Sequence, residues 1–244
     1  MYRGILLSLL ILTGCTSGGM SSENAEKSAR IHTELASLYL EQAQMGLALS
    51  ERDLALAAKS NYAPAFNVRA LIHMALHEDA DAESAFKRSL SIDEKNSETH
   101  SNYGWFLCQN GHEKESIPHF MTALKNPLYQ TPEQAYLNAA VCSQQMNNFV
   151  LAEDFFKRAL VVRPQLPQAL LGMAQLNFAK QDFGLAKKFF NQYAAKTDNL
   201  TAENLWLAIR IERQLNDRNA AASYAMKLRN LYPDSKEARA LNSN

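Results

Sequence analysis

The side chains best placed to do chemistry in this 244-residue sequence are a pair of histidines, a run of carboxylates and three cysteines. His73 and His77 stand four residues apart, so on a helix they share a face and could hold a metal ion with Glu78 or His100 as a third ligand. Such a pair is more often two ordinary surface or groove residues, and no metal is expected. Glu78, Asp79, Asp81 and Glu83 crowd carboxylates into one stretch, but it lacks the glycine and the ligand spacing of a calcium loop and reads as a solvated face. No P-loop, GxGxxG, HExxH or GxSxG occurs, so the chain is expected to be no enzyme and to use neither a cofactor nor a small-molecule substrate. Lys plus Arg and Asp plus Glu are both 25, and a chain without net charge has no field to gather nucleic acid.

The cysteines are Cys15, Cys108 and Cys142. Ahead of the first lies Arg3 and then the apolar run Ile5 to Leu12, far shorter than the roughly 20 residues a membrane-spanning helix needs, so residues 1–14 read as a secretory signal. Leu12-Thr13-Gly14-Cys15 resembles the lipobox of bacterial lipoproteins, which implies that Cys15 carries the lipid anchor. Thr16 after that cysteine, in place of Asp, resembles the outer-membrane sorting pattern of Gram-negative lipoproteins, so the periplasmic face of the outer membrane is the expected location. Thr16 to Glu26 has neither aromatic nor β-branched apolar residues, and residues 15–28 are expected to form a flexible tether.

Only helices suit the rest of the chain. The sequence is 47% hydrophobic, with 9 Gly and 7 Pro, and its apolar segments are rich in Ala, Leu, Gln and Lys. Ala82, Phe86 and Ser89 recur as Ser116, Phe120 and Ala123 at an offset of 34, the period of the tetratricopeptide repeat. Ala152, Phe156, Ala159 and Pro164 continue the series, as do Ala186 and Phe190. Six units are expected, at about 29–62, 63–96, 97–130, 133–166, 167–200 and 201–234, with residues 235–244 as a tail. Two residues are inserted near Thr131-Pro132, and Pro233 fits best with one residue inserted before Ala221. The expected fold is all-α, a right-handed superhelical solenoid of paired antiparallel helices, in which each unit buries its apolar face only against its neighbours. Arg52 and Arg69 break the pattern, standing where an aromatic and a leucine are usual.

Three stretches go beyond the generic repeat: Asn102 to Gly111 (NYGWFLCQNG), Asn126 to Cys142 (NPLYQTPEQAYLNAAVC) and Asn204 to Ala238, with NLWLAIRIERQLND and SYAMKLRNLYPDSKEA. Together with the lipobox they resemble the PilF/PilW family of type IV pilus biogenesis lipoproteins. The resemblance implies a pilotin, which accompanies secretin subunits to the outer membrane and supports their multimerisation. A tetratricopeptide lipoprotein of another envelope machine, for outer-membrane protein assembly or control of cell-wall synthesis, is the competing reading.

In stacked tetratricopeptide units the first helix of each pair lines the concave side. Its inward positions here include Leu40, Leu71, Met74, Trp105, Leu137, Val141, Leu171, Phe178, Leu205 and Ile209. An apolar strip of that kind would hold a hydrophobic strand or helix of a partner, with Trp105 as the residue to test. A shift of one residue, or a tight superhelix, would instead make several of them ordinary core between units. Cys108 and Cys142, on the first helices of adjacent units, are positioned for a disulfide in an oxidising periplasm, with two free buried thiols as the alternative.

Overall fold

The computed structural model describes residues 21–241, and among these residues there are thirteen helices and no strand. Twelve form six hairpins of two helices: α1 (Ser22–Glu41) with α2 (Met45–Ala58), α3 (Ala63–Ala75) with α4 (Asp79–Ile92), and α5 (Ser97–Gln109) with α6 (Glu113–Ala123). They continue as α7 (Pro132–Gln145) with α8 (Phe149–Val162), α9 (Pro167–Ala179) with α10 (Phe183–Ala194), and α11 (Ala202–Gln214) with α12 (Arg218–Leu231); α13 (Lys236–Leu241) closes the series. Each helix packs on its hairpin partner and then on the next unit, as the repeat requires.

Local chemistry sets where the helices start and stop. Side chains of Ser21, Asn96, Asn148, Asp182, Thr201 and Asp217 accept backbone N–H groups of a first turn, and Thr201 with Asn204 completes a capping box. Pro64, Pro132 and Pro167 sit in first turns, where the missing N–H has no helical partner to lose. Inside each hairpin one residue adopts the left-handed conformation that reverses the chain: Ala43, His77, Gly111, Asn147, Gln181 and Asn216. Only at Gly111 is that conformation free of a Cβ penalty.

The core of units two to five is built around one aromatic slot in each. Phe86, Phe120, Phe156 and Phe190 are 0–2% exposed, and burying each ring is worth about 1.5–3 kcal/mol. Small residues on the first helices make room, and at two of them the fit is close. A Cβ on Gly104 would lie 3.0 Å from the Phe120 ring, and one on Gly172 would lie 2.3 Å from that of Phe156. In the first unit Arg52 occupies the slot with a side chain 13% exposed, its Nε 2.9 Å from the Asp53 carboxylate.

The structure moves three boundaries. Residues 22–28, expected as tether, are the opening turns of α1, capped by Ser21 and pinned by the Glu26–Lys59 ion pair at 2.9 Å. The sixth unit begins at Ala202, so the residue expected to be inserted before Ala221 lies in the Ala195–Thr201 link. Residues 236–241 of the expected tail are α13, which packs on α11 and α12. The signal peptide and Cys15 lie outside the described residues.

Candidate protein-binding groove

Along the array each odd-numbered helix meets the next odd-numbered one, α1 with α3 through to α7 with α9, whereas the even-numbered helices meet chiefly the first helix of the following unit. The odd-numbered helices therefore line the inner face. Between α9 and α11 the approach is looser, and the space is lined by α13 as well.

Of the ten side chains expected on this face, Leu40, Leu71, Met74, Trp105, Val141, Leu171 and Phe178 are half-buried. Each leans on a core cluster and offers one edge to the groove: Leu71 and Met74 beside Phe86 and Phe106, Trp105 and Val141 beside Phe120 and Leu137, and Leu171 and Phe178 beside Phe190 and Leu207. Leu40 packs the same way against Ala36, Ala48 and Ile72. The other three do not reach the groove. Leu137 is 6% exposed and belongs to the core that α5 to α9 share, which also contains Met173 and Ala169 of the next unit. Leu205 and Ile209 are 1% and 0% exposed, sealed under Ala238 and Leu241 of α13 together with Leu228. The one-residue offset of α11 turns them inward, and it turns Trp206 and Arg210 out. The inner face is thus a row of half-covered apolar edges, less apolar than a continuous strip.

Trp206 and Arg210 escape the sequence reading, although Pro233 and Ala221 carry the signal: both fit the repeat when the sixth unit is read from residue 202. They belong to an open cavity of about 990 Å³, lined among others by Phe178, Phe183, Trp206, Arg210 and Lys236. The Arg210 guanidinium lies 4.3 Å from the centroid of the Phe178 ring, and that of Arg213 lies 5.8 Å from Trp206.

Cys108 and Cys142 are joined by a disulfide that ties α5 to α7, with Cα atoms 5.8 Å apart and both residues buried.

The histidines take structural roles. His73 Nδ1 is 2.6 Å from the Glu78 carboxylate, and its Nε2 accepts from Arg69 Nε at 3.3 Å, so both ring nitrogens are engaged. Asp81 lies close enough to join His73 and Glu78 around an ion, but the Arg69 cation at the ring disfavours one. His100 pairs instead with His119, Nδ1 to Nδ1 at 2.8 Å, and its Nε2 donates to the Glu94 carbonyl. Burial, with His100 adding to it, pushes His119 down to about 4, while burial beside the Glu83 carboxylate pushes the Tyr103 hydroxyl up to about 12.

No family model matches the chain. It is 27% identical to the type IV pilus assembly protein PilF of Pseudomonas aeruginosa over 247 aligned residues, 96% of each protein. Among solved structures it matches PilW, described as a widely conserved type IV pilus biogenesis factor, with a TM-score of 0.81 and 33% identity over 87% of this chain and 97% of that one. It also matches the structure of Pseudomonas aeruginosa PilF, with a TM-score of 0.83 and 25% identity over 90% of this chain and 98% of that one.

Proposed function

The chain belongs to the PilF/PilW family of tetratricopeptide proteins of type IV pilus biogenesis, and from that premise we propose that it is an outer-membrane lipoprotein acting as a secretin pilotin. The observation that carries the reading is the inner face, a row of apolar edges with Trp105 at its middle that offers a protein partner binding and no chemistry. In this reading Cys15 is acylated and holds the array at the periplasmic face of the outer membrane, where the several acyl chains of a bacterial lipoprotein make attachment effectively permanent. Because α1 begins at Ser22, fully extended backbone from Cys15 spans at most roughly 25 Å, so the array works close to the membrane surface. Tethering there raises the effective concentration of captured secretin subunits and favours their association.

The test is the amount of heat- and SDS-resistant secretin multimer in outer membranes of cells carrying wild-type protein, Cys15→Ala, Trp105→Ala or a deletion, at matched expression. The pilotin reading requires loss of multimer in the deletion and in Cys15→Ala, and a clear decrease with Trp105→Ala. Multimer unchanged in the deletion would sink it and point to another envelope partner.

A further inference from the structure

The cavity between α9, α11 and α13 is lined by one cation, Arg210, that no carboxylate of the described residues matches. Several cations elsewhere are matched within the fold, as in Arg158 with Asp154, Lys180 with Glu153, and Lys187 with Glu212 and Asp217. At the cavity Lys236 is matched too, by Glu203 at 3.3 Å and Glu237 at 3.6 Å. Arg210 has no ion pair or hydrogen bond among the described residues, and its one specific contact is the face of Phe178. Arg213, one turn on, rests on the ring of Trp206 and lies outside the cavity lining. A guanidinium resting on a ring face makes no hydrogen bond there, so the in-plane N–H donors of Arg210 stay available in the fork geometry that matches a carboxylate. The aromatic rings supply a contact for an apolar side chain, and the opening between α9 and α11 leaves room for a chain to lie across them.

We propose that this cavity seats an extended acidic segment of a protein partner, with an aliphatic or aromatic side chain against Trp206 and Phe178 and an Asp or Glu carboxylate held by Arg210. The site goes beyond the pilotin reading and does not depend on it. Charge complementarity commits the occupant: the Arg210 cation lines the cavity without a carboxylate of its own, because Glu203 and Glu237, the carboxylates that line it, are engaged with Lys236.

The experiment pans a phage-displayed library of random ten-residue peptides on the purified full-length protein. Synthetic versions of the enriched peptides are then titrated by fluorescence in a Trp105→Phe background, where Trp206 is the remaining tryptophan. Enriched peptides should pair Asp or Glu with Leu, Ile or Phe, shift Trp206 emission, and bind less tightly as salt rises. Arg210→Glu should weaken them at least about tenfold, the loss expected of one charged hydrogen-bonding partner, and Arg210→Lys should restore part of that. Trp206→Ala, followed by competition against labelled peptide, should also weaken binding. Failure to enrich, enrichment indifferent to acidic residues, or equal binding to Arg210→Glu would each overturn the proposal, as would self-association through this face in sedimentation. No secretin is present in this assay, so its outcome and that of the secretin assay are read separately.

Discussion

Gly172→Ala should destabilise the protein even though the same change usually strengthens a helix. In the interior of α9 alanine gains about 1 kcal/mol over glycine. The added methyl, however, would stand 2.3 Å from Cζ and 2.4 Å from Cε1 of Phe156, well inside the about 3.5–4.0 Å at which carbon atoms attract. Phe156 is 1% exposed and walled in by Ala152, Ala159 and Met173, so its ring has nowhere to go without moving a helix. Overpacking of this kind costs about 1–3 kcal/mol and occasionally more, and a displacement above about 1 Å in a filled core belongs at the upper end. The net expectation is a loss of about 1–2 kcal/mol, or roughly 2–8 °C in Tm for a chain of this size. Urea unfolding followed by far-UV circular dichroism measures it, and fluorescence of Trp105, which packs on the same cluster, reports whether the loss is local. Gly46→Ala is the control, because nothing lies within 4 Å of its added methyl and the propensity gain should appear unopposed. Phe156→Leu should offset part of the Gly172→Ala penalty in a double-mutant cycle. A neutral or stabilising Gly172→Ala would refute the claim that the Phe156 slot is closed by the missing side chain of the next unit.

The same geometry sets further expectations. Cys108→Ser with Cys142→Ser, or reduction, should cost about 2–4 kcal/mol, since a disulfide across a sequence separation of 34 constrains the unfolded chain by about 4 kcal/mol in the chain-entropy model; unchanged urea midpoints would contradict it. His119, held at about 4 when folded and near its ordinary 6.5 when unfolded, takes up a proton first in the unfolded chain as pH falls. Its contribution, on the order of 1–3 kcal/mol, is therefore whole above pH about 6.5, erodes between there and pH about 4, and His119→Gln should flatten that limb of the stability profile. Arg52→Phe places in the first unit the side chain its neighbours carry and should raise stability by about 1–3 kcal/mol, with amide exchange slowing mainly in α1 and α2; equal or faster exchange there would mean that the slot of the first unit is shaped for arginine.

The sequence was most legible where the same closed position recurs with the same side chain. Phe86, Phe120, Phe156 and Phe190 recur because each fills the same closed slot, and their spacing was enough to find the solenoid. The disulfide followed from two cysteines on neighbouring first helices, although they stand at different positions of the repeat and spacing alone does not show that they face each other. The turn residues were far less legible. Left-handed backbone recurs once per hairpin, yet it is occupied by Ala43, His77 and Gln181 as well as Gly111, Asn147 and Asn216, because the packing of two helices outweighs a local penalty of about 1–2 kcal/mol. The start of α1 was hidden for a related reason: Ser22 to Ser28 carries no apolar stripe, and its helix rests on the Ser21 cap and one ion pair.

The groove shows how a small error of position becomes an error of chemistry. On a helix one residue is a rotation of about 100°, so reading the sixth unit from 201 put Leu205 and Ile209 on the inner face and hid Trp206 and Arg210. Placing the extra residue in the Ala195–Thr201 link reverses the two sets and accounts for three further facts. Ala221 and Pro233 fall into repeat positions, the loosened approach of α11 to α9 opens the cavity, and Leu205 and Ile209 form the surface on which α13 seals the end of the array. A solenoid's last unit has no successor to cover it and needs such a cap. Here the cap also supplies one wall of the cavity, through Lys236 and Ala240. Closing the C-terminal end and building a binding seat are therefore one structural event, and changes that dislodge α13 should impair both.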